Sequence, residues 1–240
     1  MRHALLHSLI AMILCSVTSL STANEAPAAA APSPQQRAAM LKQWLQASQA
    51  QMRGYEWIET TVISLKGEEK SRLQKRCYYG ADGVLQKVEE GATPASSGGG
   101  GPLRKRMAEK KKEELSAYMK EAVALVHSYV PPQAQDIQAA ISAGRMGMQL
   151  LEPNRRVRLN FSDFKKAGDQ LGVDIEIPTN RLLGISVNSH LDTTSDPVVL
   201  QVTMSVLPDG TIYAQRTVLD AAAEKLSVAI ENSGYRRLGQ

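Results

Sequence analysis

The sequence predicts an α+β fold built on antiparallel strands, and three observations predict it. From Val198 the apolar residues Val198, Leu200, Val202, Met204 and Val206 alternate with a wetter set, Gln201, Thr203 and Ser205. That period of two marks a sheet with one drier face. Asp-Gly pairs at Asp82-Gly83 and Asp209-Gly210 separate strand-like segments, a strong hairpin signal. Helical spacing is confined to three segments, while about nine strands fill the rest.

The first residues read as an export signal. Arg2 and the free amine are positive, and Ala4 to Leu20 is apolar apart from His7 and small hydroxyl residues. Ser21-Thr22-Ala23 puts small residues at the −3 and −1 positions, which predicts a signal peptide over 1–23 cleaved after Ala23. An uncleaved anchor is the competing reading, but such a run is short beside the ~20 residues of a membrane span. Cys15 invites lipid attachment, yet Leu14 stands where a small residue is needed. The mature chain is therefore expected to be soluble and periplasmic. Removing Arg2 with the signal lowers the net charge from +4 to +3, too little to suggest nucleic acid. Only Cys77 then remains, so no internal disulfide can form.

Residues 24–34, Pro/Ala-rich, are expected to be a disordered tether before a single domain over 35–240. A helix follows from about Gln35 to Arg53, with Met40, Leu41, Trp44, Leu45 and Met52 at three- and four-residue spacing and Gly54 as its stop. Tyr55 to Leu65 is rich in aromatic and β-branched residues and reads as a strand. Lys66-Gly67-Glu68 turns it into Ser71 to Tyr79, and Ala81-Asp82-Gly83 leads to Val84 to Glu90, completing a meander. Residues 92–102, with four consecutive glycines, are expected to form a mobile loop.

A helix from roughly Leu103 to Val130 carries the stripe Leu115, Tyr118, Met119, Ala122, Val123, Val126 and Tyr129, and Pro131-Pro132 ends it. A shorter helix spans about Gln133 to Ala143. Strands are then expected at Met148 to Leu151, Arg155 to Phe161, Leu171 to Ile177, Arg181 to Leu191, from Val198, Thr211 to Leu219 and Leu226 to Asn232.

Catalytic constellations do not emerge. His127 and His190 lack a second ligand at metal spacing, and no G-x-S-x-G or H-E-x-x-H occurs. Asp192 to Asp196 offers two acids and three hydroxyls, but reads better as a turn than as a calcium loop. Met146 and Met148 could suit a soft metal, and core or hinge packing is the better account. Cys77 reads as a buried thiol, and Asn160-Phe161-Ser162 as a chance glycosylation match. No enzyme, metal or cofactor is expected. Arg104, Lys105, Arg106, Lys110, Lys111 and Lys112 crowd a helix start, where the dipole disfavours cations. They suggest an anionic partner such as lipid head groups, against the plainer reading of a solvated helix start.

An N-terminal helix, a meander, inserted helices and a second run of strands behind a signal peptide resemble the periplasmic lipoprotein-carrier superfamily, of LolA/LolB type. The resemblance covers roughly Gln35 to Gln240 and rests on Tyr55 to Val88, with its turn Tyr79-Gly80-Ala81-Asp82-Gly83-Val84, and on the hairpin Leu207-Pro208-Asp209-Gly210-Thr211. It implies a curved half-barrel whose concave face is covered by helices and accepts an acyl chain. The family's gating arginine matches no single position, so no functional residue is carried over. The expected function is an exported carrier for an apolar or lipid-like ligand. Its candidate contacts are Trp57, Tyr118, Met119, Val123, Phe161, Leu200, Val202 and Met204. The alternative is a non-catalytic envelope scaffold with a filled core that binds another envelope protein.

Overall fold

Ten strands pair into one open antiparallel sheet in a computed structural model that describes residues 36, 43, 46–48, 50–93 and 102–239. All of these lie in the compact unit Ser33–Gln240. At residues 91–93, 102–105, 108 and 134 the backbone alone is described. The predicted signal peptide, the tether and Trp44 fall outside the described residues.

Three strands come first: β1 (Tyr55–Leu65), β2 (Glu68–Tyr79) and β3 (Leu85–Thr93). Two helices follow, α1 (Pro102–His127) and α2 (Ala134–Ser142). The chain then runs through β4 (Met146–Glu152), β5 (Arg156–Ser162), β6 (Gln170–Glu176), β7 (Arg181–His190), β8 (Pro197–Val206), β9 (Ile212–Ala221) and β10 (Leu226–Arg237). The order across the sheet is β3-β2-β1-β10-β9-β8-β7-β6-β5-β4. Neighbours in sequence are thus neighbours in space, except that β1 pairs with β10. The helical insertion joins the two opposite edges, β3 and β4.

Local chemistry accounts for the elements. Lys66 and Gly67 both take positive φ (57° and 82°), the backbone of a tight two-residue hairpin turn. The strand count is ten, not nine, and several ends move. The predicted loop at 92–102 is narrower, because Ala92 and Thr93 extend β3, while Pro102 opens α1. Proline suits that first helical position, where its missing N–H would have no partner. β10 runs past the predicted Asn232 because Gly234, at φ +64°, absorbs a bulge between the partners of Glu56 and Ile58. Helical backbone is seen at 46–48 and 50–52. There the Ser48 hydroxyl accepts the Ile212 N–H (3.1 Å), and the Thr211 hydroxyl donates to Gln51 (3.1 Å), docking this segment on the β8–β9 turn.

Cross-strand partners share a face of the sheet, so register defines the core. Val157, Leu159 and Phe161 oppose Ile175, Val173 and Leu171; Ile185 and Val187 follow on β7, Val198 and Leu200 on β8, Leu219 and Ala221 on β9. All are buried on this inner face, against Ala122, Val126 and Tyr129 of the α1 region and Ile137 and Ala140 of α2. Each large side chain so enclosed contributes ~1.5–3 kcal/mol. Cys77 on β2 is fully buried, and burial pushes its thiol pKa up, as expected of an inert thiol.

Candidate binding face

α1 is fastened along the ends of three successive hairpins. Lys111 reaches Glu224 in the β9–β10 turn (3.1 Å), and the Tyr118 hydroxyl donates to Asp196 in the β7–β8 loop. Just past the helix, the fully buried Tyr129 donates to Asp169 and lies 3.0 Å from the Ser189 hydroxyl. Burial, then these carboxylate bonds, raises both tyrosine pKa values. Asp169, 2% exposed, also accepts the backbone N–H groups of Phe164, Lys165 and Lys166, so its charge is fully engaged in closing the β5–β6 loop. Its role is structural.

Below this strap the inner face opens by degrees, and the register shows how. Val198, Ala221, Leu226 and Leu65 form the row next to α1; the first three are buried. In the next row Leu200 and Leu219 are 5% exposed, Val228 is partly buried, and Ile63 is 37% exposed. The third row is Val202, Thr217, Ile230, Thr61 and Leu73, all partly buried. Cover therefore thins away from α1 and toward β1. The apolar band ends at polar groups: Asn232 opposes Glu59, and Glu59 binds Lys87 (2.6 Å). Asn232 accepts the Trp57 indole N–H (3.1 Å) and donates to the Ala214 carbonyl (2.9 Å). A band of this kind suits an amphiphile, with a greasy run and a polar end.

Seven of the eight predicted contacts meet in one cluster: Tyr118, Met119, Val123, Phe161, Leu200, Val202 and Met204. Phe161, 2% exposed, is closed in by Phe164, and Leu200 is nearly as buried, so both serve as core. Trp57 stands apart, stacked on Tyr235 at 5.7 Å, with Tyr213 4.4 Å from that same tyrosine ring. Sequence reasoning missed Thr61, Ile63, Leu73, Thr217, Val228 and Ile230. Their alternation was visible, but the β1–β10 pairing that gathers them was not. Of the basic cluster, Arg106, Lys110, Lys111 and Lys112 are exposed, while Arg104 and Lys105 are placed by backbone alone.

Among the described residues, open grooves also lie near the β8–β9 turn and the β10 bulge, and three of them bear on the site. The largest, about 640 Å³, is lined by Tyr55, Asp209, Tyr235 and Arg237. Another, of 450 Å³, runs beside Ser48, Gln51 and Arg181. The third, of 310 Å³, contains Trp57, Glu56 and Arg76. Their charges are internally matched: Arg237 and Tyr55 bind Asp209 (2.7 and 2.8 Å), and Arg236 binds Glu56 (2.8 Å). The Thr211 N–H, then Tyr55 and Arg237, hold the Asp209 carboxyl well below the usual carboxylate range. Among the described residues, no three His, Cys, Asp or Glu side chains gather as a metal site. No described helix is long and apolar enough to cross a membrane.

No family model matches this chain, and no curated protein matches it. Solved structures do resemble it. One is a DUF1329 family protein from Desulfovibrio piger, at 8% identity and TM-score 0.37, covering 86% of this chain and 92% of that one. Another is a LolA superfamily protein from Nitrosomonas europaea, at 8% identity and TM-score 0.33, covering 83% and 94%. A third is an outer membrane lipoprotein-sorting protein domain from Vibrio parahaemolyticus, at 12% identity and TM-score 0.36, covering 82% and 92%. The likeness is one of fold, and no residue or role is carried across from it.

Proposed function

We propose that this chain is a non-catalytic, exported carrier for an apolar or lipid-like molecule, held on the inner face between α1 and the Glu59–Lys87 pair. The observation that carries this reading is the graded cover of that face. A finished core would bury its third row as completely as its first, and here Val202, Ile230 and Leu73 stay partly accessible. A continuous, partly accessible apolar band that ends at paired polar groups has the form of a ligand-contact surface. Met119 and Val123 of α1 border the band from above and complete the contact set. The exposed cations Arg106, Lys110 and Lys112 suit an anionic surface from which such a ligand is taken or to which it is given. Periplasmic residence, reached by cleavage after Ala23, belongs to the same proposal.

A scaffold with a filled core is favoured by one specific observation: the β5–β7 half, with Leu171 and Val187 both fully buried, is packed solid. The two readings separate in titration with a fluorescent fatty acid. The carrier shows saturable uptake, weakened more than about tenfold by Ile63→Arg or Met119→Arg, because a cation would sit in the apolar contact. Ile63 is already exposed enough for the variant to fold, and Val84→Arg, 55% exposed in the β2–β3 turn, is the control. No saturable uptake, or uptake indifferent to Ile63→Arg, overturns the carrier.

A further inference from the structure

The polar end of the inner band has donors left over. In register beyond Ile230, Thr61 and Leu73, a fourth row is made of Asn232, Glu59, Lys75 and Glu89. Most of its groups are spent within the chain. Asn232 uses its oxygen on Trp57 and its amide on the Ala214 carbonyl. Glu59 holds Lys87 with both carboxylate oxygens, at 2.9 and 2.6 Å. Lys75 is different. It is partly buried on this face, and among the described residues it joins no ion pair, because Lys87 occupies Glu59 and the opposed Glu89 stands exposed on the edge strand. Tyr235 supplies a second unspent donor. Its ring stacks on Trp57, which lies two residues before Glu59 and so on the same face. Among the described residues nothing accepts a hydrogen bond from its hydroxyl. Burial first, then the adjacent Tyr213, Cys77 and Glu59, push its pKa up, so the hydroxyl keeps its proton.

We propose, resting on the carrier reading, that the molecule held on this face is an anionic amphiphile whose carboxylate or phosphate is taken by Lys75 and the Tyr235 hydroxyl. The tail then runs toward α1 and the head toward the Glu59–Lys87 pair. The unspent groups decide the class. A cation and a hydroxyl donor together lack a negative charge and an acceptor, and an anionic oxygen brings both. A cationic head would instead meet Lys75 and Lys87 side by side, with Glu59 already occupied. Glu89, the remaining acid of the row, is exposed, where solvent and salt weaken its pull. Length agrees. Residues 226–232 of β10 run from the row beside α1 to the polar row, ~20 Å at ~3.3 Å per residue, which is the reach of one extended long-chain tail.

Displacement of the fluorescent fatty acid from the full chain tests this with three competitors of equal tail: palmitate, palmitoyl lysophosphatidate and hexadecanol. At least one anion is expected to bind more than about tenfold tighter than hexadecanol, the scale of a charge-assisted hydrogen bond in a partly buried site. The stronger anion identifies the head as carboxylate or phosphate, and equal strength means that the site takes either. Lys75→Gln should bring anion and alcohol to near parity, with hexadecanol affinity and melting temperature unchanged, because the substitution breaks no bond within the chain. Tyr235→Phe, which keeps the ring stack, should reduce the preference in the same direction. Lys70→Gln, exposed near the other end of β2, is the control. Hexadecanol matching both anions, or a preference that survives Lys75→Gln or Tyr235→Phe, overturns the head-group assignment and leaves the carrier standing. Failure of all three competitors to displace the probe sinks the carrier reading and the head-group assignment with it.

Discussion

Asp169 is the residue on which the helical strap depends most. Its carboxylate takes three backbone N–H groups and the Tyr129 hydroxyl while only 2% exposed. Removing it leaves buried donors with nothing to bind, which costs more than the bond itself is worth. Asp169→Ala is expected to destabilise by about 3 kcal/mol or more, and Tyr129→Phe by ~1 kcal/mol, in urea unfolding. Their effects should be strongly non-additive, because each removes one half of the same contact. In the sequence Tyr129 was legible only as the last apolar member of a helical stripe. Its partner lies 40 residues on. Nothing local in a Lys-Lys-Ala-Gly-Asp loop announces that its acid folds inward. The same holds for Tyr118 and Asp196: both residues drew notice, and their union did not.

At the scale of the element, α1 is two helices in one. From Tyr118 onward it buries Ala122 and Val126 against the sheet, and here the three- and four-residue spacing was enough to predict the packed face. Its described side chains from Arg106 to Glu114 are all exposed, with Met107 75% accessible, and one exposed ion pair, Lys111–Glu224, ties this half down. Such a pair contributes about 0–1 kcal/mol. Hydrogen exchange should therefore be much faster over 106–114 than over 118–127, because opening the first half breaks almost no tertiary packing. Equal protection along the helix would mean that something further holds the basic half. The strands show a complementary limit. Asp-Gly and Lys-Gly turns made the hairpins readable one by one, yet edge status depends on what lies beside a strand, which turn chemistry does not encode. The exposed Met148 accordingly looked like an ordinary packing position.

At the scale of the molecule, the decisive feature is the seam between β1 and β10. Ten register pairs join these strands, from Tyr55–Arg237 to Leu65–Leu226. Deleting β10 strips β1 of one whole side and detaches the three-stranded meander from the core. A chain stopped at residue 225 is expected to lose cooperative unfolding by circular dichroism, whereas removing residues 239–240 should change nothing, since pairing has already ended. The antiparallel α+β class was legible because alternation and turns are local. The closure of the meander onto the last strand was not, because a pairing 182 positions apart leaves no local trace. That is also why the candidate face, which straddles the seam, was only half identified.

That seam has a temporal meaning. A polypeptide emerges beginning with its amino end, so the leading trio of strands exists long before the ribosome has made β10, which sets Val228 and Ile230 beside Ile63 and Thr61. Until then the first strand lacks those greasy neighbours, and premature association with other nascent chains is the hazard. Whatever escorts this molecule through its biogenesis must guard the front piece until the tail arrives.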